Sequence, residues 1–217
     1  MASRVTHRIS HHAARVFQFA AFPLVWTVSK LAVPTTVRGH ERLAELEGPA
    51  ILIANHIAFY DSFLLRLATR WKTLPFRFMG VTSFRRPHLR VLKSLGIIHA
   101  AYLLFGVFTV VPGRGMEKNT QTAKEILARG GTVLVYPEGY INTSGKLLPF
   151  KHGASVIALA SKATVVPIYF MQKNGSTRIT IGDPFKPRTR SVEETTAYFQ
   201  KTLSELAERE LADVSGR

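Results

Sequence analysis

Ala50-Ile51-Leu52-Ile53-Ala54-Asn55-His56-Ile57-Ala58-Phe59-Tyr60-Asp61-Ser62 is the stretch that decides the fold. Its first five residues are an unbroken apolar run of strand length, the pattern of a strand buried on both faces. Asn55 and His56 form a polar pair where the run ends, and Asp61 follows His56 by five positions. Phe63, Leu64, Leu65, Leu67 and Ala68 then carry a helical pattern. The order is strand, polar turn, helix, and α/β folds hold their chemistry in such turns, beyond the carboxyl ends of the strands.

The spacing carries chemical content. Residues five apart on a regular helix point about 140° apart, so His56 and Asp61 cannot pair along one helix face. They meet if His56 lies in the turn and Asp61 in the first helical turn, where the positive helix end favours a carboxylate. A carboxylate on one imidazole nitrogen fixes the tautomer and leaves the other nitrogen free as a base. That is two thirds of a hydrolase triad without its nucleophile, and a substrate alcohol can supply the missing hydroxyl. Ser62 reads as an ordinary serine at a helix start. Taken alone, the stretch is equally compatible with a satisfied turn histidine beside a helix-capping Asp.

A chain of 217 residues with 46% hydrophobic content fits one domain plus an appendage. The chain has no cysteine, which removes thiol catalysis, thiolate metal sites and disulfides. A net charge of +15 fits nucleic acid, an anionic membrane face or acidic substrates. A zinc signature, a helix-turn-helix pattern and basic strands interleaved with aromatics are all missing, so a nucleic-acid partner is not expected.

Residues 1–35 form a basic and apolar N-terminal segment, with Pro23 inside an apolar run that Arg15, Gln18 and Lys30 interrupt. The internal proline and flanking cations suit a helical element lying in the membrane interface better than a single crossing; the alternative is a helix packed on the domain. Residues 36–217 alternate strand-like and helical segments, which argues for an α/β domain. The pattern predicts strands at Val37–Arg38, Phe76–Gly80, Val107–Val111, Thr132–Tyr136, Val165–Phe170 and Thr177–Ile181. It predicts helices over Ile97–Phe105, Thr120–Arg129 and Ala154–Ala163. Pro167 inside its strand predicts an edge or a bulge. Ser191-Val192-Glu193-Glu194 is a capping box opening an amphipathic helix with Phe199, Leu203, Leu206 and Leu211 on one side.

Three further groups attract attention. Arg85, Arg86, Arg90 and Lys93 form a basic cluster, either a solvated face or a contact for lipid headgroups or a polyanionic donor. Arg114, between Gly113 and Gly115 at a strand end, is placed for a phosphate, because backbone approaches closely there and a guanidinium binds in two-pronged fashion. It also fits an ordinary exposed turn. Pro137-Glu138-Gly139 follows a buried strand and precedes Lys146-Leu147-Leu148-Pro149-Phe150-Lys151-His152-Gly153-Ala154.

Four blocks therefore stand in order: Asn55-His56 with Asp61; Gly106 to Arg114; Tyr136-Pro137-Glu138-Gly139; and Val166-Pro167-Ile168. Over about Arg38 to Asp183 the chain resembles the glycerolipid acyltransferases, the family of lysophosphatidic acid acyltransferase. The resemblance implies a mixed β-sheet flanked by helices, with an N-terminal apolar membrane-docking element. It implies transfer of a fatty acyl group from acyl-CoA or acyl-carrier protein to a lysophospholipid hydroxyl, 1-acylglycerol-3-phosphate above all, giving phosphatidic acid. Glycerol-3-phosphate or another lysolipid is the alternative acceptor; the alternatives of another class are a nucleic-acid-binding protein and a lipid-binding protein that keeps the fold without turnover.

In that likeness His56 corresponds to the general base and Asp61 to its orienting partner. Glu138 and Gly139 correspond to acceptor-binding residues, beside Asn55. Arg114 matches a phosphate-binding arginine, and Pro167 belongs to the donor side. No metal and no cofactor beyond the acyl donor are implied. The place implied is the cytoplasmic face of the cell membrane, in peripheral or monotopic association with the phospholipid surface. The chain departs from the pattern at Tyr140 and Ile141, where Thr-Arg is usual, so a second phosphate-binding arginine is missing. A phosphate monoester is then expected to be held by Arg114 with Lys146, Lys151 or the Arg85–Arg90 cluster. Gly113 and Val81-Thr82 depart as well, at positions where an acidic residue and a lysine are common.

Overall fold

A computed structural model describes residues 33–65, 76–81, 93–111, 113–188 and 191–215, with Val16, Ala20, Thr27 and Val91. Most of the N-terminal segment, the Arg85–Arg86–Arg90 cluster, and Leu67 and Ala68 lie outside the described residues.

The elements follow the alternation of the sequence: β1 Thr35–Arg38, α1 His40–Ala44, β2 Ala50–Ala54, α2 Asp61–Leu64, β3 Phe76–Val81, α3 Ile97–Phe105, β4 Val107–Val110, α4 Met116–Ala128, β5 Thr132–Val135, α5 Gly153–Ser161, β6 Thr164–Lys173, β7 Ser176–Ile181 and α6 Val192–Ser215. The strands form one seven-stranded sheet in the order β1-β7-β6-β2-β5-β3-β4. Every pairing is parallel except β6 with β7. Asn174 and Gly175 turn that pair with φ of 51° and 75°, the two-residue hairpin that Asn-Gly favours. The sheet is therefore mixed, with helices on its faces.

β2 lies at the centre and all five of its side chains are buried. Alternate residues point to opposite faces. Ile51 and Ile53 join Ile126, Leu127, Ile157, Phe199 and Leu203 under α4, α5 and α6. Leu52 and Ala54 join Leu43, Leu64, Leu134, Ile168 and Phe170 on the other face. A parallel strand covered on both sides has no polar face to offer, which is why the run Ala50–Ala54 is continuous rather than alternating.

Three expectations are corrected. Pro167 is on an interior strand, opposite Ile53 of β2. It is tolerated because the β6–β7 ladder begins only at Ile168, opposite Ile181. The Pro167 carbonyl accepts the Gly182 N–H at 2.8 Å, so its missing donor faces the turn after β7, where no strand asks for it. Helix α4 begins at Met116, not Thr120. After Met116 its first turn is polar, Glu117-Lys118-Asn119, and hides the helical period, while the Asn119 side chain bonds both N–H and C=O of Val111 at 2.9 Å. Leu211 is 48% exposed, and the inward position of its turn belongs to Glu210, 6% exposed. Counting by three and four from Phe199, Leu203 and Leu206 arrives at 210, where a carboxylate meets Arg178 at 3.3 Å and Arg38 at 3.7 Å.

Candidate active site

β2 and β5 run side by side with Ile53 opposite Val135. The residues beyond each strand therefore emerge together: Asn55 and His56 from one, Tyr136 to Gly139 from the other. The turn after β2 closes on Asp61, the first residue of α2. Its Oδ2 accepts the N–H of Ile57 at 2.7 Å and of Ala58 at 2.9 Å, and lies 2.8 Å from His56 Nδ1. Asp61 is fully buried, whereas 18% of the His56 side chain is exposed. An oxygen that already receives two N–H groups acts as acceptor toward the third neighbour. Nδ1 thus carries its hydrogen, and Nε2 keeps its lone pair. Asp61 makes no side-chain cap to the helix; its bonds run back to the turn, and they hold the imidazole.

The imidazole rests on a ring. His56 and Tyr136 stack with centroids 4.0 Å apart and planes 13° apart. The Tyr136 hydroxyl and Ser62 Oγ are 2.7 Å apart, which ties the end of β5 to the first turn of α2. Burial pushes the Tyr136 hydroxyl far above its usual range, and the Asp61 charge adds to this, so the ring is a neutral phenol at any working pH.

Glu138 is buried, and protein donors occupy its carboxylate. Oε2 accepts from Asn142 Nδ2 at 2.6 Å and from the Leu148 N–H at 2.9 Å. Oε1 accepts the His56 N–H at 3.4 Å. The His56 carbonyl in turn accepts the Asn142 N–H at 2.6 Å. The carboxylate thus locks the loop after β5 onto the His56 turn. Gly139 stands next to it at φ 74°, a conformation that strains any residue with a Cβ; a Cβ there would also meet the flexible end of Lys151 at 2.6 Å, which can swing aside. Lys151 Nζ lies 3.9 Å from the centroid of the exposed Tyr140 ring.

Asn55 extends the sheet rather than pointing to solvent. Its Nδ2 donates to the Phe170 carbonyl at 2.9 Å and its Oδ1 accepts the Phe170 N–H at 2.7 Å. A cavity of about 350 Å³ opens beside the turn, lined by Asn55, Ile57, Asn142, Lys146, Tyr169 and Leu211 among others. The residues on either side of His56 line it; His56 itself does not. Pro167 lines a different cavity of about 560 Å³ with Arg38, Arg42 and Tyr198, toward the other end of the sheet. Arg114 is exposed in the turn after β4. It lies on the same edge as His56, three strands from β2, about 14 Å of sheet width. Among the described residues no group of three or more His, Asp or Glu is placed to hold a metal.

The local pattern assigns no part beside His56 to the Tyr136 ring, the Ser62 hydroxyl or Asn142. The first two depend on which strand lies beside β2. Asn142 carries a legible signal, since its Oδ1 accepts from the N–H of Ser144 at 3.0 Å, the turn that Asn-x-Ser-Gly favours.

The chain is similar to proteins of known family. The family model described as Acyltransferase matches residues 34–171. A 1-acyl-sn-glycerol-3-phosphate acyltransferase of Chlamydomonas reinhardtii is 33% identical over 136 residues, 61% of this chain and 37% of that protein. The human 1-acyl-sn-glycerol-3-phosphate acyltransferase beta is 30% identical over 137 residues, 62% of this chain and 45% of that protein. The chain thus spans less than half the length of these relatives. The crystal structure of PlsC from Thermotoga maritima, a 1-acyl-sn-glycerophosphate acyltransferase, superimposes with a TM-score of 0.60 over 96% of this chain and 83% of that one. Its sequence is 20% identical, so this likeness is one of fold. The matched span of the family model takes in more than half of the chain, from the residue before β1 into β6, with His56, Asp61, Tyr136 and Glu138 inside it, and on that ground the chain belongs to the acyltransferase family.

Proposed function

We propose that this chain transfers a fatty acyl group from a thioester, acyl-CoA or acyl-carrier protein, to a lysophospholipid hydroxyl, with 1-acylglycerol-3-phosphate as acceptor and phosphatidic acid as product. The observation that carries the reading is the 2.8 Å contact between His56 Nδ1 and the buried Asp61 carboxylate, which leaves Nε2 as a base. The acceptor oxygen attacks the thioester carbonyl as its proton passes to Nε2. The tetrahedral intermediate then collapses, the C–S bond breaks, and the imidazolium returns the proton to the departing thiolate. Asp61 orients the ring and faces the positive charge that forms on it. Such a base contributes about 10²–10⁴-fold, and holding two substrates together contributes more. The route uses no metal and no cofactor besides the donor.

Three exposed cations on the edge of the sheet that carries His56 support a phosphate-bearing acceptor: Arg114, Lys146 and Lys151. Ile141, where the family usually has arginine, keeps a second acceptor in view, glycerol-3-phosphate or another lysolipid. The expected place of action is the phospholipid surface on the cytoplasmic face. Among the described residues no helix is long and apolar enough to cross a membrane. The deciding experiment measures thiol release from acyl-CoA with lysophosphatidic acid, glycerol-3-phosphate and other lysolipids in turn. His56→Ala is expected to abolish it; a fully retained rate would remove His56 as base.

A further inference from the structure

Helix α6 reaches the reaction site with its last two turns. Leu211 and Val214 line the cavity of about 350 Å³ beside the His56 turn, together with Ile57 of that turn. An ion-pair clasp sets their direction. Glu210 meets Arg178 of β7 at 3.3 Å and Arg38 of β1 at 3.7 Å, and Asp213 meets the same two at 3.1 Å and 2.6 Å. Leu211 and Val214 each follow one of these acids by one position, about 100° farther round the helix. Fixing the acids on the sheet therefore turns both apolar side chains toward the cavity. The lining is mixed. Thr143 joins it from the loop after β5 and Gln172 from the end of β6. Lys146 and Lys173 line it as well, both exposed, and among the described residues no acid does. A fatty chain is a poor occupant, because it would strip water from these groups and return no hydrogen bond. A bare phosphate leaves the apolar wall unused. A ligand that is part apolar, part hydrogen-bonding and anionic at one end uses the whole lining.

We propose that this cavity takes the phosphopantetheine arm of the thioester donor, with Lys173 on its phosphate and Leu211 and Val214 against its dimethyl segment, and that helix α6 thereby sets donor specificity. The proposal deepens the acyl transfer proposed above and rests on it. The arm is common to acyl-CoA and acyl-carrier protein. It carries two amides, a dimethyl-substituted carbon and a phosphate, and it ends on the sulfur that bears the acyl group. Asn55 and Ile57, on either side of His56, both line the cavity, so an arm lying in it delivers its sulfur beside the base. Gln172, Lys173, Leu211 and Val214 stand beyond residues 34–171, the span that the family model matches. The donor wall is thus supplied by elements that follow the part of the chain bearing His56 and Asp61.

Two variants of the full-length protein test this: Lys173→Glu, which reverses an exposed charge, and Val214→Trp, which fills the cavity. Unchanged circular dichroism marks a folded variant, and Lys173→Glu decides alone should Val214→Trp lose its helix. Binding is read by titration calorimetry with a thioether analogue of acyl-CoA, in which a methylene separates sulfur from carbonyl so that no acyl group can leave. Each variant is expected to bind the analogue about tenfold more weakly than wild type. Turnover is compared between acyl-CoA and the matching acyl-N-acetylcysteamine, which keeps the thioester but lacks the phosphate and the dimethyl segment. The ratio of kcat/KM for the first donor over the second is expected to fall about tenfold in each variant, with acceptor KM within about twofold of wild type. The proposal is overturned if wild type does not bind the analogue, if a folded variant binds it as wild type does, or if both donors suffer equally. A rise in acceptor KM in place of the donor effect overturns it too, giving the cavity to the acceptor. So does a shift of Val214→Trp toward shorter acyl chains, since the cavity then holds the fatty chain. Analogue binding that both variants weaken, without thiol release from wild type with any acceptor, would instead remove the acyltransferase reading and leave the donor cavity in place.

Discussion

The His56 imidazole lies flat against the Tyr136 ring, 4.0 Å away and 13° from parallel, while Asp61 grips its Nδ1 at 2.8 Å. One contact sets the plane of the ring and the other sets its rotation within that plane. The base is thereby held in one orientation before a substrate arrives, which spares the reaction the entropy of aligning it.

Tyr136→Leu removes the stacking face and should lower kcat about tenfold, with KM changed little, because the imidazole regains rotational freedom. Tyr136→Phe keeps the face and loses the bond to Ser62 Oγ. It should retain activity within about threefold and cost about 1 kcal/mol of stability. Steady-state kinetics and urea unfolding of the two variants separate the contributions.

Asp61→Asn keeps the shape of the side chain and removes its charge, so the imidazolium loses its counter-ion and the tautomer its lock. The rate should fall about 10²-fold or more. Asp61→Ala also strands the N–H groups of Ile57 and Ala58, and should cost about 2–4 kcal/mol of stability besides. A rate loss in Asn without the stability loss of Ala is the signature of an orienting carboxylate.

Glu138 serves two parts of the site at once, the His56 turn and the Asn142–Leu148 loop. Glu138→Ala should free that loop, raise acceptor KM more than it lowers kcat, and open a proteolytic site near Thr143–Gly145. It should destabilise the fold by about 2–3 kcal/mol, since buried donors lose their acceptor. Glu138→Gln turns an amide N–H₂ toward one of those donors and should recover only part of the loss. Limited proteolysis read beside KM tests whether the loop and the substrate share this anchor.

Alkaline pH should expose the buried phenol. Tyr136 ionises near 10 when unfolded and well above that when folded, because burial and the Asp61 charge disfavour the phenolate. The unfolded state therefore releases this proton first. The stability due to Tyr136 is complete below about pH 10 and is lost as pH rises beyond it. Unfolding free energy should be level toward pH 9 and fall above pH 10, and Tyr136→Phe should flatten part of that fall. Urea midpoints across this range provide the check.

The features legible in the chain alone are short-range. The buried run Ala50–Ala54, the turn that brings His56 to Asp61, and the alternation that makes an α/β sheet all depend on neighbours within a few residues, where pattern and geometry are enough. The tertiary structure decided what stands beside that turn. Tyr136 reaches His56, and Glu138 clasps it, only because β5 rather than another strand pairs with β2. Pro167 sits harmlessly inside the sheet only because β7 stops opposite Ile168. Asn55 spends its amide on Phe170, 115 positions away. No local pattern encodes such pairings, since they are settled by the burial of both faces of the whole sheet at once.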